Sequence, residues 1–489
     1  ILSSVAVGLT SYSRGILDAD DGEIEVRISV ECTEAARLRM TPILCLLLVV
    51  AGLSSVHSSC DKSVLPELTF FLNGAYLDWP CQSTKNIYAS SGRYISKNII
   101  PTRMQIYRDE AIVLTPRYKP GIPFTLAKLS LKNKNCLPLL TPFPCWSMQE
   151  EGNCQALQSA VDLFLDANDI LWVLDVGIVN TLEQPIRRCG PKIVAFNVKT
   201  GKVVKIIDLS GLVCSASRLQ YLVVDYAADG RVYVYVSDAA TRAILVWDVT
   251  LGRGYRVVLP KAVTSGCNRR DVLYLALVRK SCGNTVLYFS YLSSCRLFSI
   301  KTSHLRRGSA RGTVVDVGPK PGKLVILGTD SGAAIFFRMK GESDIYMWNT
   351  ESCFKPENFL LVQKGNECRL ATQVVPGFKR LMWVLESNFH DYIQNTVGCA
   401  GASVALHPLV KTLACYTKSL TRPPLDPGSP GGCPPRPPLA VVLGTGEIRG
   451  NIKCLLTSYA VTTIVNIKMS STDLAPCRTN TEEEDLVSY

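Results

Sequence analysis

Short apolar runs separated by polar turns dominate the middle of the chain. In the stretch VYVYVSDAATRAILVWDV, residues 232–249, valines alternate with tyrosines through the first arm, so the two kinds of side chain fall on opposite faces of a strand. The second arm, residues 244–249, is almost continuously apolar, and a small polar segment joins the two arms. The pattern predicts a β-hairpin that is buried on most of its sides. Because an isolated hairpin is only marginally stable in water, we expect this one to pack against other sheets.

Similar strand-like runs recur along the chain, and turn sequences such as KTGK, GTDSG and KGESD separate them. The runs include ILWVLDVG from 170, KIVAFNVKTGKVVKIIDL from 192, TVLYFSYLSSCRLFSI from 285, GKLVILGTDSGAAIFFRM from 322, SDIYMWNT from 343 and RLMWVLES from 380. The related segments LWVLD, VYVSD and MWVLES recur irregularly. An approximate spacing of about 50 residues suits propeller blades of four strands each, with insertions. The sequence therefore predicts an all-β chain with about six blades between about residues 65 and 405.

The N-terminal region has a different composition. The first methionine is Met40, and the segment TPILCLLLVVAGL that follows it is a short apolar run, succeeded by small residues. This is the layout of a secretory signal peptide, and the run is too short to span a bilayer. We therefore expect a signal peptide over residues 40–59 and a secreted mature protein. Residues 1–39 would lie upstream of the natural start, or else form a genuine N-terminal extension.

The C-terminal region is rich in proline and glycine. It includes TRPPLDPGSPGGCPPRPPL, which cannot pair within a central strand, and it ends in the acidic TEEEDLVSY. We expect the propeller to occupy residues 60–408 and residues 409–489 to form a flexible or non-homologous tail. The alternative is a small additional module of two or three strands, built on LAVVLGTGEIRGNIKCLLTSYAVTTIVNI.

The net charge of +12 predicts a basic surface, which favours anionic partners such as an acidic extracellular matrix. The cationic residues are scattered, and no basic run alternates with stacking aromatic residues, so nucleic acid is not an expected partner. In a secreted chain some of the 19 cysteines should form disulfide bonds, although their pairing cannot be read from the sequence. The cysteines of residues 136–189 contain no C-x-x-C spacing and the later histidines are well separated, so no metal site is predicted.

Residues 141–209 carry a recognisable succession of motifs. TPFPCWSMQEEGNCQALQSAVDLFLDANDILWVLDVG is followed by RRCGPKIVAFNVKTGKVVKIIDL, and further on come LVVDYAADGRVYVYVSDAATRAILVWDV and RLMWVLESN. This succession resembles the Yellow and major royal jelly protein family of arthropods, and the match covers roughly residues 65 to 405. The resemblance implies a secreted six-bladed β-propeller, in agreement with the strand spacing.

The resemblance also implies a range of functions, because a fold does not fix an activity. The family is associated with cuticle pigmentation and melanin metabolism, with dopachrome isomerisation, with binding of biogenic amines, and with abundant secreted food proteins. The expected function is binding of a small aromatic amine or of a catechol or melanin-pathway metabolite, in cuticle pigmentation or in a secretion. The alternatives are an extracellular structural or interaction protein that holds an anionic matrix, and an enzyme of the dopachrome isomerase type.

No catalytic motif supports the enzymatic alternative. The chain shows no Ser-His-Asp order, no paired carboxylates and no phosphate-binding glycine loop, so neither a catalytic residue nor a cofactor is predicted. An isomerase would need a general base near neutral pKa, and His390 is the one histidine beside a candidate pocket residue. A surface imidazole without a catalytic role is the commoner case.

The candidate ligand-binding residues are Thr372, Asn388, Phe389 and His390, which supply a hydroxyl, an amide, a ring and an imidazole near one blade. Asp175 and Asp238 end the matching LWVLD and VYVSD strands, so they are candidates for the end of the channel, where a carboxylate would meet a cation. The competing interpretation is structural. Asn388 and Thr372 would then stabilise a turn, Phe389 would pack in the core, and each aspartate would accept hydrogen bonds from the turn that follows it.

Overall fold

The structure is a computed structural model that describes residues 68–132, 137–264, 271–365, 368–398 and 402–409. The segments predicted as an upstream extension and a signal peptide lie outside these ranges, as does the tail beyond Leu409. Within the ranges, no helix is both long enough and apolar enough to cross a bilayer.

The described residues form six antiparallel sheets of four strands each, which confirms the expected all-β, six-bladed propeller. Blade 1 consists of β2 (Arg103–Tyr107), β3 (Glu110–Leu114), β4 (Leu126–Ser130) and β5 (Thr141–Pro142). Blade 2 consists of β6 (Ala160–Leu165), β7 (Ile170–Asp175), β10 (Lys192–Asn197) and β11 (Val203–Asp208). Blade 3 consists of β12 (Leu219–Tyr226), β13 (Val232–Asp238), β14 (Ala243–Asp248) and β15 (Arg253–Val258).

The remaining blades follow the same order. Blade 4 consists of β16 (Leu273–Arg279), β17 (Thr285–Tyr291), β18 (Arg296–Lys301) and β19 (Val315–Pro319). Blade 5 consists of β20 (Leu324–Thr329), β21 (Ala334–Met339), β22 (Ile345–Asn349) and β23 (Phe359–Gln363). Blade 6 consists of β24 (Leu370–Pro376), β25 (Met382–Ser387), β26 (Val404–Pro408) and β1 (Phe70–Leu72).

Few other elements interrupt these sheets. A two-stranded ribbon of β8 (Ile178–Val179) and β9 (Ile186–Arg187) lies between β7 and β10. The helices of the described residues are α1 (Gln82–Ser90), α2 (Thr302–Leu305) and α3 (Phe389–Gln394). Single-turn helical segments occupy Ser96–Asn98, Trp146–Gln149, Ser210–Leu212, Lys261–Thr264, Pro356–Asn358 and Phe378–Arg380.

Each blade has one inner strand, which lies next to the inner strand of the neighbouring blade. The inner strand is the first strand of the blade in chain order, except in blade 6, where it is β24. β2 contacts β6, β6 contacts β12, and the contacts continue through β16, β20 and β24 back to β2, so these six inner strands surround a central channel. β1 closes the ring, because this N-terminal strand pairs antiparallel with β26 from the other end of the described chain. The amide of Leu409 also donates to Met382 O at 2.7 Å, so backbone pairing continues one residue beyond the predicted boundary at 408.

The hairpin of residues 232–249 is the pair β13–β14 of blade 3, as the sequence pattern predicts. Val234 and Val236 belong to a buried cluster shared with blade 2, whereas Tyr233 and Tyr235 belong to one shared with blade 4. Each face of the hairpin therefore packs on a different neighbouring blade. This two-sided burial explains why the middle strands have few polar positions, while outer strands such as β11 are mostly exposed.

Side chains also join neighbouring inner strands. Gln373 Oε1 accepts a hydrogen bond from Met104 N at 2.5 Å, across the junction between blades 6 and 1. Asp162 Oδ2 accepts from Leu222 N at 2.7 Å, across the junction between blades 2 and 3. These bonds satisfy backbone donors that would otherwise face the channel without a partner in a ladder.

A disulfide bond links two segments of the described chain. It joins Cys154, before β6, to Cys189, before β10, over a sequence separation of 35 residues. The expectation that some cysteines are disulfide-bonded is thus confirmed. In contrast, Cys81, Cys145, Cys214 and Cys353 are exposed thiols.

Removing the ring of Phe70 should destabilise the closed propeller. Phe70 is 2% exposed, and its ring centroid lies 6.3 Å from that of Trp383 in β25, the strand beyond β26 in the same blade. We expect Phe70→Ala to lower the free energy of unfolding by about 3–5 kcal/mol, measured by urea unfolding followed by tryptophan fluorescence. Tyr76→Ala, at a position 41% exposed, is the control and should change it by about 0.5 kcal/mol or less. An unchanged urea midpoint in Phe70→Ala would show that β1 does not close the ring.

Candidate ligand-binding site

A cavity of about 270 Å³, the central cavity, lies where the inner strands begin. Every blade contributes to its wall at or near the start of its inner strand. The lining residues from these strands are Thr102, Arg103, Val161, Leu219, Gln220, Tyr221, Val272, Tyr274, Val325, Leu370, Ala371 and Thr372. The turn after β21 and the helix α3 add Lys340, Phe389, His390 and Ile393. The volume is slightly below the range of about 300–1,000 Å³ that is typical of small-ligand sites.

Irregular pairing of the inner strands shapes this wall. The register shifts between Ala160 and Asp162 in β6, between Leu219 and Leu222 in β12, and between Ala371 and Gln373 in β24. A bulge bends a strand and turns a side chain or a carbonyl out of the regular pleat. The residues within these three shifts, Val161, Gln220, Tyr221 and Thr372, all line the central cavity.

Aromatic rings form much of the wall. Tyr221 and Tyr274 are neighbours, with ring centroids 5.2 Å apart, and Tyr118 and Phe389 are 5.8 Å apart. Burial raises the pKa of the Tyr221 and Tyr274 hydroxyls, so both groups remain neutral at physiological pH. Flat apolar faces with neutral hydroxyls suit a small aromatic ligand.

Arg103 forms the floor of the central cavity. Its guanidinium lies 4.5 Å from the Tyr221 ring centroid, and Nη1 donates to Thr372 O at 3.1 Å. Its Nε also lies 3.5 Å from Asp162 Oδ1. Arg103 and Tyr221 line a second, smaller cavity of about 90 Å³ further along the inner strands, so they separate the two spaces. Because Asp162 lies next to Arg103, the positive charge of Arg103 is already balanced by a carboxylate of the protein.

Two other cationic residues line the central cavity. Arg338 of β21 donates from Nε to Ala371 O at 2.8 Å and from Nη1 to Met339 O at 3.1 Å. Lys340 is exposed in the turn that follows. No described acidic residue forms a salt bridge with either side chain, and no described Asp or Glu lines the cavity.

Two buried polar atoms beside the central cavity lack a hydrogen-bond partner among the described residues. They are Thr102 Oγ1 and Gln220 Nε2. The other end of the Gln220 amide is engaged, because Oε1 accepts from Leu273 N at 2.9 Å. An unpaired buried polar group costs free energy, so atoms of this kind next to a cavity are consistent with a ligand or bound water.

The structure brings together three of the four ligand-binding residues predicted near blade 6. Thr372, Phe389 and His390 line the central cavity, whereas Asn388 does not. The Asn388 amide instead bonds to two other residues of the protein. Its Oδ1 accepts a hydrogen bond from Ser403 N at 2.8 Å, and its Nδ2 donates to Asp391 Oδ2 at 3.1 Å. The Thr372 hydroxyl donates to Leu385 O at 3.2 Å. Ligand binding by these residues stays a prediction.

His390 lies at the mouth of the central cavity and is exposed. Its Nε2 is 3.4 Å from Asp391 Oδ1, and the side chains of both residues are roughly two-fifths exposed. This position leaves the imidazole accessible to solvent and to a ligand that enters the cavity.

Asp175 lies away from the central cavity and is fully buried. Its carboxylate accepts hydrogen bonds from the backbone amides of residues 158, 159 and 177 at 2.8, 2.9 and 3.0 Å. It also forms a salt bridge with Lys192 at 3.0 Å. These contacts fix the segment that leads into β6 and the turn after β7.

Asp238 holds the equivalent place in blade 3 and likewise does not line the central cavity. It accepts hydrogen bonds from Arg218 N at 2.9 Å, Ser217 Oγ at 2.6 Å and Thr241 Oγ1 at 2.5 Å. In the structure both strand-end aspartates thus connect a blade's second strand to the segment that begins its inner strand.

A comparison with known proteins identifies the family to which this chain belongs. The family model described as "Major royal jelly protein" matches residues 158–410, which is more than half of the chain. The chain belongs to the major royal jelly protein family. The match includes most of the blades and ends one residue past the last described position.

The similar proteins of known name are distant from this chain in sequence. The chain is 26% identical over 358 residues to major royal jelly protein 1 of Apis mellifera, an alignment that covers 67% of this chain and 80% of that protein. It is 27% identical over 373 residues to major royal jelly protein 5 of the same species, covering 71% and 60%. It is 24% identical over 317 residues to a protein named dopaminechrome tautomerase from Drosophila melanogaster, covering 57% and 68%.

Several wall residues of this family member were not predicted from its sequence. Arg103, Tyr221 and Arg338 come from three different blades, and each stands in an ordinary strand pattern. The three inner-strand shifts are not visible as a motif either. The weak signal that exists is an isolated arginine within an apolar strand, as in AIFFRM.

Asp162 should make the stability of the protein depend on pH. Burial raises the pKa of its carboxyl to about 6, against the lowering effects of Arg103 and of the Leu222 amide. A carboxyl with a raised folded-state pKa contributes stability below its unfolded pKa of about 4, and this contribution is lost as the pH rises through about 6. Asp162→Asn keeps an oxygen acceptor for Leu222 N but cannot ionise.

We therefore expect Asp162→Asn to gain stability relative to the unchanged protein as the pH rises. The difference between their free energies of unfolding, variant minus unchanged protein, should increase by about 2–3 kcal/mol between pH 4 and pH 7. Urea unfolding at a series of pH values measures this difference. Asp316→Asn, which removes a half-exposed carboxylate paired with Arg296, is the control. A difference for Asp162→Asn that is the same at pH 4 and pH 7 would contradict the raised pKa.

Proposed function

We propose that this chain binds a small aromatic ligand of the catechol or melanin-pathway type in its central cavity, as a secreted protein of cuticle pigmentation or of a secretion. The observation that carries the proposal is the ring-lined wall of the cavity. Tyr118, Tyr221, Tyr274 and Phe389 provide aromatic faces around a space of about 270 Å³. A single aromatic ring with short substituents suits such a space better than a larger ligand does.

The polar atoms of the wall support a hydroxylated ring. The Gln220 amide has an unpaired N–H group, and Thr102 has an unpaired hydroxyl. Groups of these kinds donate to and accept from ring hydroxyls, and their pairing with a ligand would remove the cost of leaving them unsatisfied. The similarity to a protein named dopaminechrome tautomerase supports the same ligand class.

A ring substitution tests the proposal. We expect anaerobic calorimetry with 4-methylcatechol to show binding at millimolar concentration or below. Phe389→Ala should weaken this binding about tenfold, because a stacked ring contributes roughly 0.5–1.5 kcal/mol beyond its buried area. Phe359→Ala also removes a half-buried ring, but from blade 5 and outside the cavity wall, so it is the matched control.

Absence of heat with folded protein at millimolar 4-methylcatechol would refute the proposal. Equal weakening by Phe389→Ala and Phe359→Ala would refute the assignment to the central cavity. Turnover is measured separately with dopachrome. A binder consumes at most one equivalent, whereas an isomerase using His390 as a base at the cavity mouth consumes many.

A second candidate function is retention of an anionic extracellular polymer, and one surface groove favours it. This basic groove, between blades 6 and 1, is lined by the exposed residues Arg108, Lys132, Lys379 and Arg380, and Asp109 is the one acidic residue among the described residues of its lining. Arg108, Lys379 and Arg380 have positive φ angles of 54°, 58° and 57°, which are uncommon for residues other than glycine. Strained backbone of this kind often occurs at functional sites. Here its function would be to present positively charged side chains to an anionic polymer.

Heparin affinity tests the basic groove. We expect the double variant Lys379→Gln/Arg380→Gln to elute from immobilised heparin at a lower salt concentration than the unchanged protein, because exposed charge pairs are weakened by salt. The double variant Lys301→Gln/Lys355→Gln removes the same charge from exposed sites outside the groove and is the control. Equal shifts in both variants would attribute heparin binding to net charge rather than to this groove.

A further inference from the structure

The central cavity has an unbalanced charge. Its described lining includes Arg103, Arg338 and Lys340 together with His390, and no carboxylate. Arg103 is balanced by Asp162 at 3.5 Å. Arg338 and Lys340 have no described acidic partner, so their charges remain to be balanced by solvent or by a ligand.

We infer that the ligand of the central cavity is a small aromatic carboxylate, bound with its ring against the tyrosines and its anionic group at Arg338 and Lys340. This inference rests on the proposed function, because it assigns the charge of the same aromatic ligand. It runs against the aromatic amine expected from the sequence, since an ammonium ion would find cations and no carboxylate in the described wall.

Arg338 is oriented for this role by its backbone contacts. Nε donates to Ala371 O and Nη1 to Met339 O, so the guanidinium is fixed between blades 5 and 6 by two bonds that do not use Nη2. A fixed guanidinium recognises the planar carboxylate group well, and hydrogen bonds between two charged groups are about twice as strong as neutral ones. Its acceptor Ala371 O belongs to a residue that itself lines the central cavity.

Desolvation adds to the same argument. Burial lowers the pKa of the Arg338 guanidinium, against the raising effects of Tyr274 and Tyr221. The side chain nevertheless stays charged at physiological pH, because the pKa of arginine is far above that range. A buried positive charge without a described acidic partner attracts an anion more strongly than the same charge in water does.

Lys340 provides a second cation at a position that tolerates substitution. It is exposed in the turn after β21, and its amide donates at 2.7 Å to the carbonyl oxygen of Lys323, the residue just before the paired strand β20. Lys323 is also exposed but does not line the central cavity. Lys323→Gln and Lys340→Gln therefore remove the same charge from directly paired positions, one outside the cavity and one in its wall.

The unpaired polar atoms fit an oxygen-rich ligand. Gln220 Nε2 can only donate, so it needs an acceptor such as a carboxylate or hydroxyl oxygen. Thr102 Oγ1 can donate to the same kind of atom. An ammonium group offers donors only and would leave the Gln220 amide unpaired.

Three catechols that differ only in their side chain test the inference. They are 3,4-dihydroxyphenylacetate, an anion, 4-methylcatechol, which is neutral, and dopamine, a cation, each titrated anaerobically into the full secreted chain at pH 7. We expect the carboxylate to bind about tenfold or more tighter than 4-methylcatechol, and dopamine to bind more weakly than either. Arg338→Gln and Lys340→Gln should each reduce the ratio of carboxylate affinity to 4-methylcatechol affinity several-fold, whereas Lys323→Gln, outside the cavity wall, should leave this ratio intact.

The outcomes separate this inference from the function on which it rests. Dopamine binding as tightly as the carboxylate would overturn the inference while the aromatic site stands. A carboxylate preference that survives in both Arg338→Gln and Lys340→Gln would also overturn it. Failure of all three catechols to bind would overturn the proposed function together with the inference. Because Arg338 also joins two blades, the exposed Lys340→Gln variant provides the decisive comparison if Arg338→Gln does not fold.

Discussion

Closure of the ring is the constraint on which the rest of the structure depends. Six twisted sheets surround one channel only if the last blade is completed from the other end of the described chain, which β1 achieves by pairing with β26. Every inner strand then has a neighbour on both sides, and both faces of each blade become buried. The apolar middle strands, the polar outer strands and the position of the central cavity all follow from this arrangement, because the cavity is bounded by all six blades.

The same residues that join the blades also shape the cavity. Gln220 accepts a bond from Leu273 N and thereby links blades 3 and 4, while its free amide hydrogens lie beside the central cavity. Thr372 lies in the bulge of β24 and offers its carbonyl to Arg103 across the junction of blades 6 and 1. Structural and ligand-binding roles are therefore not separable by inspection of single residues. What distinguishes Arg338 from Arg103 is charge balance, since Asp162 neutralises only Arg103.

Sequence patterns predicted the parts of the site that lie close together in the chain. Thr372, Phe389 and His390 come from one blade and the helix that follows its second strand, so a local motif could indicate all three. Asn388 belongs to the same segment, yet its amide is used by Ser403 and Asp391. Asp175 and Asp238 were recognisable as equivalent because each ends the second strand of a blade. Their shared role in the structure is to hold the backbone that leads into an inner strand, as a strand-end carboxylate commonly does.

By itself the sequence determined the fold class, the number of blades and the hairpin of residues 232–249, because alternation and spacing along the chain directly record which faces are buried. It also carried the motifs that correspond to the family. Only the tertiary structure decided which side chains share the central cavity and which charges remain there. Arg103, Tyr221 and Arg338 are separated by more than a hundred residues in sequence and meet only because the ring closes. The balance of charge in a cavity depends on distances between blades, and no pattern within one blade encodes them.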